Sequence, residues 1–348
     1  MPTISIDTFF ACSLMVAVVM AAAALSTQIL TAHMTDTKDL NENDYLRALS
    51  EYIVFNTGTP ANWGSSNSVL PVIFGLAKSG SLVPNELDID KICRLNYQNA
   101  FSLTYPNILD SVKLTDVGLG FSMSQIMDIS TILYSNTTLE DSTTYTFRIY
   151  VNQDGAPVTA SLHCYIVASN FLSDIYNNTS TDGVSYVDIE IPNASNGTAS
   201  LVVFARALHD ARMTAYEVYS FNHLSAEPTA SNAFLNLNPL NYTLWLSSNS
   251  SSVIIERAYA FSYKYQFNLA SLSNSTYEIP AIAEKSPIIL VITGSNDSSS
   301  FVNWTAYPQI PLDAGANFTD SECHAFSYVV SVNGNLYKLT VRLAGANQ

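Results

Sequence analysis

The chain has 348 residues and a formal net charge of -15, although only 12% of its residues are charged. With 14 Lys and Arg against 29 Asp and Glu it offers no basic patch to a phosphate backbone, which argues against nucleic acid as a partner. Its length accommodates two or three domains, and its polarity comes mostly from Ser, Thr, Asn and Tyr.

The chain opens on an unbroken apolar run, Thr8 to Leu25, with Asp7 at its mouth. As a helix this run spans roughly 27 Å, close to the hydrocarbon core of a bilayer. The first basic residue is Lys38, so the positive n-region of a secretory signal is missing, while Ala21 to Ala24 followed by Ser26 offers a cleavage site and leaves removal as the alternative. Beyond the run, Ile29, Leu30, Met34, Leu40, Tyr45, Leu46, Leu49, Tyr52, Ile53 and Phe55 recur at amphipathic spacing, with no Gly or Pro between Pro2 and Gly58. The expectation is one helix from Ile4 to Phe55, roughly 75 Å long. Asp36, Asp39, Glu42 and Asp44 read as its solvated face, because a calcium site needs loop geometry.

Asn56-Thr57-Gly58-Thr59-Pro60 stops this helix. Residues 57–120 then read as a small helical collar. Asp88 is placed to cap a short helix from Ile89 to Leu95, and Tyr105 to Leu114 forms a second.

From 121 the period changes to two. Thr144 to Val151 alternates, Gln153-Asp154-Gly155 supplies a turn, and Val158 to Ala168 reads as the return strand. Further strands are expected at 184–191, 199–207, 214–221, 242–247, 252–258, 263–268, 287–293, 301–306, 324–332 and 336–343. The fold class expected is α+β: a long N-terminal hydrophobic helix, a helical or loop segment, and one or two Ig-like β-sandwiches. The expected boundaries are 1–56, 57–120, 121–227 and 228–348, the last two separated by a linker around Pro228.

From residue 136 onward there are 21 Asn, and 11 of them open an Asn-X-Ser/Thr triplet, against none of the nine before it. Local Ser and Thr content accounts for roughly a quarter by chance. The excess marks Asn136, Asn177, Asn178, Asn193, Asn196, Asn241, Asn249, Asn274, Asn296, Asn303 and Asn317 as glycosylation candidates on a cell-exterior region. Cys12 lies in the apolar run, so Cys93, Cys164 and Cys323 allow at most one internal disulfide. Cys164 with Cys323 is the first choice, both being in strand-like sequence. His163-Cys164 and Cys323-His324 invite a zinc reading, but neighbours on a strand face opposite ways, so no metal site is expected.

Ile4-Ser5-Ile6-Asp7-Thr8-Phe9-Phe10 at the head of the apolar run carries a resemblance. So does the series Gly58-Thr59-Pro60-Ala61-Asn62-Trp63-Gly64, Gly75-Leu76-Ala77 and Leu87-Asp88-Ile89-Asp90-Lys91. Over its first hundred or so residues the chain resembles archaeal type IV pilin-like surface proteins with a class III signal. In that family a peptidase removes a short leader and leaves an acid at the fifth mature position. A chain starting at Thr3 would place Asp7 there, where its carboxylate could neutralise a neighbouring subunit's α-amino group. The alternative for Asp7 is an acid at a helix N-terminus. Met1-Pro2 departs from the family pattern, having no basic residue and no Gly at the cleavage point.

Catalytic motifs are missing: there is no Gly-X-Ser-X-Gly, P-loop, Cys-X-X-Cys or His-Glu-X-X-His. His209-Asp210 lacks a nucleophile, and Gly118-Leu119-Gly120 leads into a strand rather than a helix. No enzyme activity and no cofactor is expected. The expected function is a structural subunit of a pilus-like cell-surface filament, a homopolymer packed through Asp7, Phe9, Phe10, Ala21, Ala22, Ala23 and Ala24, with contact to the membrane. The alternative is a single-pass surface adhesin or receptor with an unknown ligand.

Overall fold

The computed structural model describes residues 15, 18–20, 43–113, 117–226, 234–248, 250–297, 299–318 and 323–344. Two compact units divide the chain, Met1–Glu51 and Tyr52–Gln348. In the first, residues 15, 18–20 and 43–51 are helical, and α1 (43–55) runs on into the second.

The second unit begins with a short helical segment. Residues Trp63–Ser65 form a 3-10 turn, followed by α2 (Ile89–Cys93) and α3 (Tyr105–Val112). Asp88 caps α2 as its sequence implies, accepting from the backbone N–H of Asp90 and Lys91. Thr104 caps α3, and Lys113 ends it in the left-handed region.

The rest is strand. Among the described residues five antiparallel sheets form. The first holds β2 (Asp128–Thr138), β3 (Ser142–Gln153), β4 (Ala156–Pro157) and β7 (Val184–Pro192). The second is ordered β6 (Phe171–Asn178), β5 (Ala160–Ala168), β8 (Gly197–Ala207), β9 (Thr214–His223). The third is ordered β13 (Gln266–Asn268), β12 (Val253–Phe261), β16 (Ile288–Asn296), β17 (Ser299–Tyr307). A fourth joins β10 (Leu235–Leu240), β11 (Thr243–Ser248), β15 (Thr276–Glu278) and β14 (Ala270–Ser273). A fifth joins β18 (Leu312–Gly315), β1 (Gly118–Gln125), β20 (Asn335–Ala344) and β19 (His324–Val332).

The first three sheets stack through two cores that share the second sheet. On one of its faces Leu162, Cys164, Ile166, Leu201 and Val203 pack with Phe147, Ile149, Val187 and Ile189 of the first sheet. On the other, Tyr165, Val167, Val202 and Phe204 pack with Tyr259, Phe261, Ile289 and Val291 of the third. Alternate side chains of β5 and β8 therefore meet different sheets, and nearly every residue of both strands is buried. A strand covered on both faces needs apolar residues at every position, which explains the run Leu201-Val202-Val203-Phe204-Ala205.

This arrangement corrects the expected α+β class of a long apolar helix with one or two Ig-like sandwiches. Strands dominate, the central sheet is sandwiched from both sides, and no helix among the described residues is long and apolar enough to cross a membrane. Most of the run from Thr8 to Leu25 lies outside the described residues. The strand following the Gln153–Gly155 turn also differs from expectation. Only Ala156 and Pro157 return to β3, after which the chain crosses to the second sheet as β5.

Candidate functional site

The residues that carry the family resemblance in the second unit come together in one buried knot. Trp63, fully buried, donates from Nε1 to the Gly75 carbonyl at 3.1 Å. Lys91 lies one residue from Asp90 on α2, and its Nζ donates to the carbonyls of Thr57 and Ala77 at 2.7 and 2.8 Å. Arg94 donates to the carbonyls of Trp63, Ser66 and Val69 through one nitrogen, and to Phe101 through Nε. Both cations stand over the Trp63 ring, at 5.7 and 5.6 Å from its centroid. Loop carbonyls that no strand satisfies are thus satisfied by two side chains of one short helix. Gly64 leaves the room: a Cβ there would come within 2.6 Å of the Lys91 Cγ.

Burial sets the electrostatics of the knot. Desolvation raises the Asp90 carboxyl to about 6, against hydrogen bonds from the Asn241 N–H and the Tyr307 hydroxyl. Desolvation lowers the Lys91 ammonium to about 8, with the nearby Asp88 charge opposing the shift. Asp90 also ties α2 to the β10–β11 turn and to the end of β17. Asn99 adds a link by donating to the Pro239 carbonyl and the Gln309 side chain. All of this is scaffolding: each polar group is committed to another part of the chain.

A second polar cluster joins the second and third sheets. His163 is buried and stacks on Tyr176 at 3.7 Å. Its Nδ1 meets the Tyr263 carbonyl at 2.7 Å, and its Nε2 meets the Asp174 carboxylate at 3.0 Å. Arg206 lies 3.8 Å from the centre of the Tyr263 ring and pairs with Glu284 at 3.0 Å. The groups form a clasp between sheets, which Ser161 joins through the contact of its hydroxyl with that of Tyr263. Asp210 is paired with Arg212, whose hydrogen bonds hold its carboxyl down at about 2.

The expected site residues are scattered. Asp7, Phe9, Phe10 and Ala21 to Ala24 lie outside the described residues, as does Asn249. Cys164 and Cys323 form no disulfide. Cys164 points into the core between the first and second sheets, where burial pushes its thiol up to about 12, while Cys323 is half-buried ahead of β19 in the fifth sheet. His163 faces away from Cys164 and is engaged as described, as strand alternation requires.

Of the sequon asparagines, Asn136, Asn178, Asn196, Asn241, Asn274 and Asn317 are exposed. Asn303 is a correction: it is 1% exposed and its amide donates to the Leu235 carbonyl, so a glycan has no room there. Asn193 is partly buried and its side chain is used in full, donating to Leu139 and Glu140 and accepting from Thr143. Asn177 donates to the Tyr186 carbonyl, and Asn296 accepts from Ser252.

Sequence reasoning missed Arg94 and the exposed pair Tyr134 and Tyr186. A signal for Arg94 existed: Lys91 and Arg94 are three residues apart around a helix otherwise built to be buried, in a chain holding only 14 Lys and Arg. Tyr134 and Tyr186 meet edge-on at 5.4 Å on the outside of the first sheet. Their proximity depends on strand order, which periodicity does not give.

No family model matches the chain, and no curated protein matches it. Among solved structures it is similar to HBP35 of Porphyromonas gingivalis, at 14% identity and a TM-score of 0.21 over 52% of this chain and 63% of that one. The chain thus covers less than two thirds of that protein, and a likeness this low carries no argument.

Proposed function

We propose that the protein is a structural subunit of a type IV pilus-like cell-surface filament, assembled through the apolar segment from Thr8 to Leu25, with its β-rich unit outermost and glycosylated. One observation carries this reading. Met15, Val18, Val19 and Met20, the described residues of that segment, are helical and 61–72% exposed. Burying such a side chain is worth about 1.5–3 kcal/mol, so an open apolar helical surface calls for cover from other copies or from lipid.

Ala22→Trp tests it in cells that make the protein. The variant should abolish filaments in the sheared surface fraction, since the small side chains of Ala21 to Ala24 permit close helix approach. Unchanged filaments would overturn the reading. An anchored adhesin is the second reading, favoured by the exposed aromatic face of the first sheet.

A further inference from the structure

The outward face of the first sheet does not look like the rest of the chain's surface. Register places Ile132 opposite Arg148 and Arg148 opposite Tyr186, in one row across β2, β3 and β7. The ladder between β2 and β3 shifts between Leu133 and Ser135, so Tyr134 sits at an irregularity of an edge strand. Bulges at such edges re-aim side chains. The Tyr134 ring meets that of Tyr186, and the two residues are 64% and 51% exposed. Neither hydroxyl has a hydrogen-bond partner among the described residues, and the Arg148 guanidinium makes no close ion pair there, although the Asp182 carboxyl, held below its ordinary range chiefly by the Ser180 hydroxyl, also feels its charge. The row opens into a depression of about 580 Å³, lined by Arg148, Asn177, Asn178, Ser180, Asp182 and Tyr186. That volume falls in the range of small-molecule sites, about 300–1,000 Å³.

Elsewhere on the same strand the outward positions carry Thr144, Thr146, Tyr150 and Asn152, with Thr146 donating to Asp188, and none of them is a cation. Two open tyrosine rings beside an open guanidinium suit a ligand with flat C–H faces and a hydroxylated rim, since Tyr supplies rigid amphipathic contact area at low entropic cost. Arg148 adds a planar fork that fits a carboxylate bidentately, in a protein of net charge -15 that otherwise repels acids.

We propose that this face binds an acidic saccharide unit. The sugar ring stacks on Tyr186 with the Tyr134 ring against its edge, its carboxylate meets Arg148, and its hydroxyls reach Ser180 and Asp182. The inference goes beyond the filament reading and does not depend on how the chain is anchored. The sugar has two sources, a free polysaccharide or the chain's own glycan on Asn178, which lines the depression.

The test is calorimetric titration of the full chain, made in a host that adds no N-glycans and held in a detergent without a sugar headgroup, using a short alginate oligosaccharide as probe. Binding is expected, weakened at least tenfold by Tyr186→Ala and by Arg148→Ala, unaffected by Thr144→Ala, and at least tenfold weaker for a neutral dextran oligosaccharide. Matching unfolding midpoints will show that the variants are folded. The glycosylated native chain separates the sources: binding that persists points to free polysaccharide, and binding that returns only in Asn178→Gln points to the chain's own glycan. No binding by the unglycosylated chain at millimolar probe, equal binding by Tyr186→Ala and Arg148→Ala, or equal binding of dextran would overturn the proposal.

Discussion

Lys91 donates from Nζ to the carbonyl of Thr57 at 2.7 Å, joining the middle of α2 to the loop that follows α1. The same nitrogen reaches Ala77, so one side chain closes two loops. Lys91→Met keeps the stem and removes the donor, leaving both carbonyls buried without it. At about 1–3 kcal/mol for each unsatisfied group, the variant should lose about 2–6 kcal/mol. Denaturant unfolding will measure this, and a loss below about 1 kcal/mol would show that water replaces the amine.

The pH dependence of stability has opposite signs for the two neighbours on α2. Asp90 is raised from its ordinary 3.8 to about 6, so between those values the folded state binds the more protons and stability falls as pH rises. Lys91 is lowered from 10.5 to about 8, so the unfolded state binds the more protons in that window and stability rises with pH. Asp90→Asn keeps an acceptor for Tyr307 and Asn241 but cannot titrate. The variant should flatten the fall between about pH 4 and 6, where Asp90 contributes about 3 kcal/mol. Urea midpoints of both proteins across pH 4–7 measure the difference, and parallel curves would refute it.

How much of this was legible in the sequence depended on whether the determining physics was local. The Asp88 cap, both short helices, the Asp154-Gly155 turn and β19 follow from neighbouring residues, and each begins where the pattern places it, although both helices end two residues short of it. Strands with mixed or polar faces were missed. Gly118–Gln125 carries two glycines, yet it forms β1 because it pairs along its whole length with β20, and Gly120 sits close to the Ala316 carbonyl, where a Cβ would not fit. The strand Asp128–Thr138 carries β-favouring Ile, Thr and Tyr but is mostly exposed and lacks a clean alternation of apolar and polar residues, so its period did not mark it; its partner β3 fixes its register. The sharing of β5 and β8 by two cores is a matter of sheet order, which alternation in a single strand does not encode. For the same reason Asn303 read as a surface sequon although it is buried in β17.

Glycan occupancy should follow exposure. Intact glycopeptide mass spectrometry of the native protein is expected to find Asn303 unmodified, and modified asparagines only among the exposed sequons such as Asn136, Asn178 and Asn274. A glycan on Asn303 would mean that β17 does not pack as described.

Cys164 should behave as a silent thiol. Buried, and raised to about 12, it should resist iodoacetamide at pH 8 in the native state and react fully in denaturant without reductant. Reaction in denaturant only after reduction would reveal a disulfide and contradict the separation of Cys164 from Cys323.

The central claim concerns the filament, and the mass of the N-terminal peptide of the protein in the sheared cell-surface fraction tests it most directly. The account predicts a chain starting at Thr3, recovered with filaments, which would place Asp7 fifth. An intact Met1, found only in detergent-extracted membrane and absent from the sheared fraction, would contradict it.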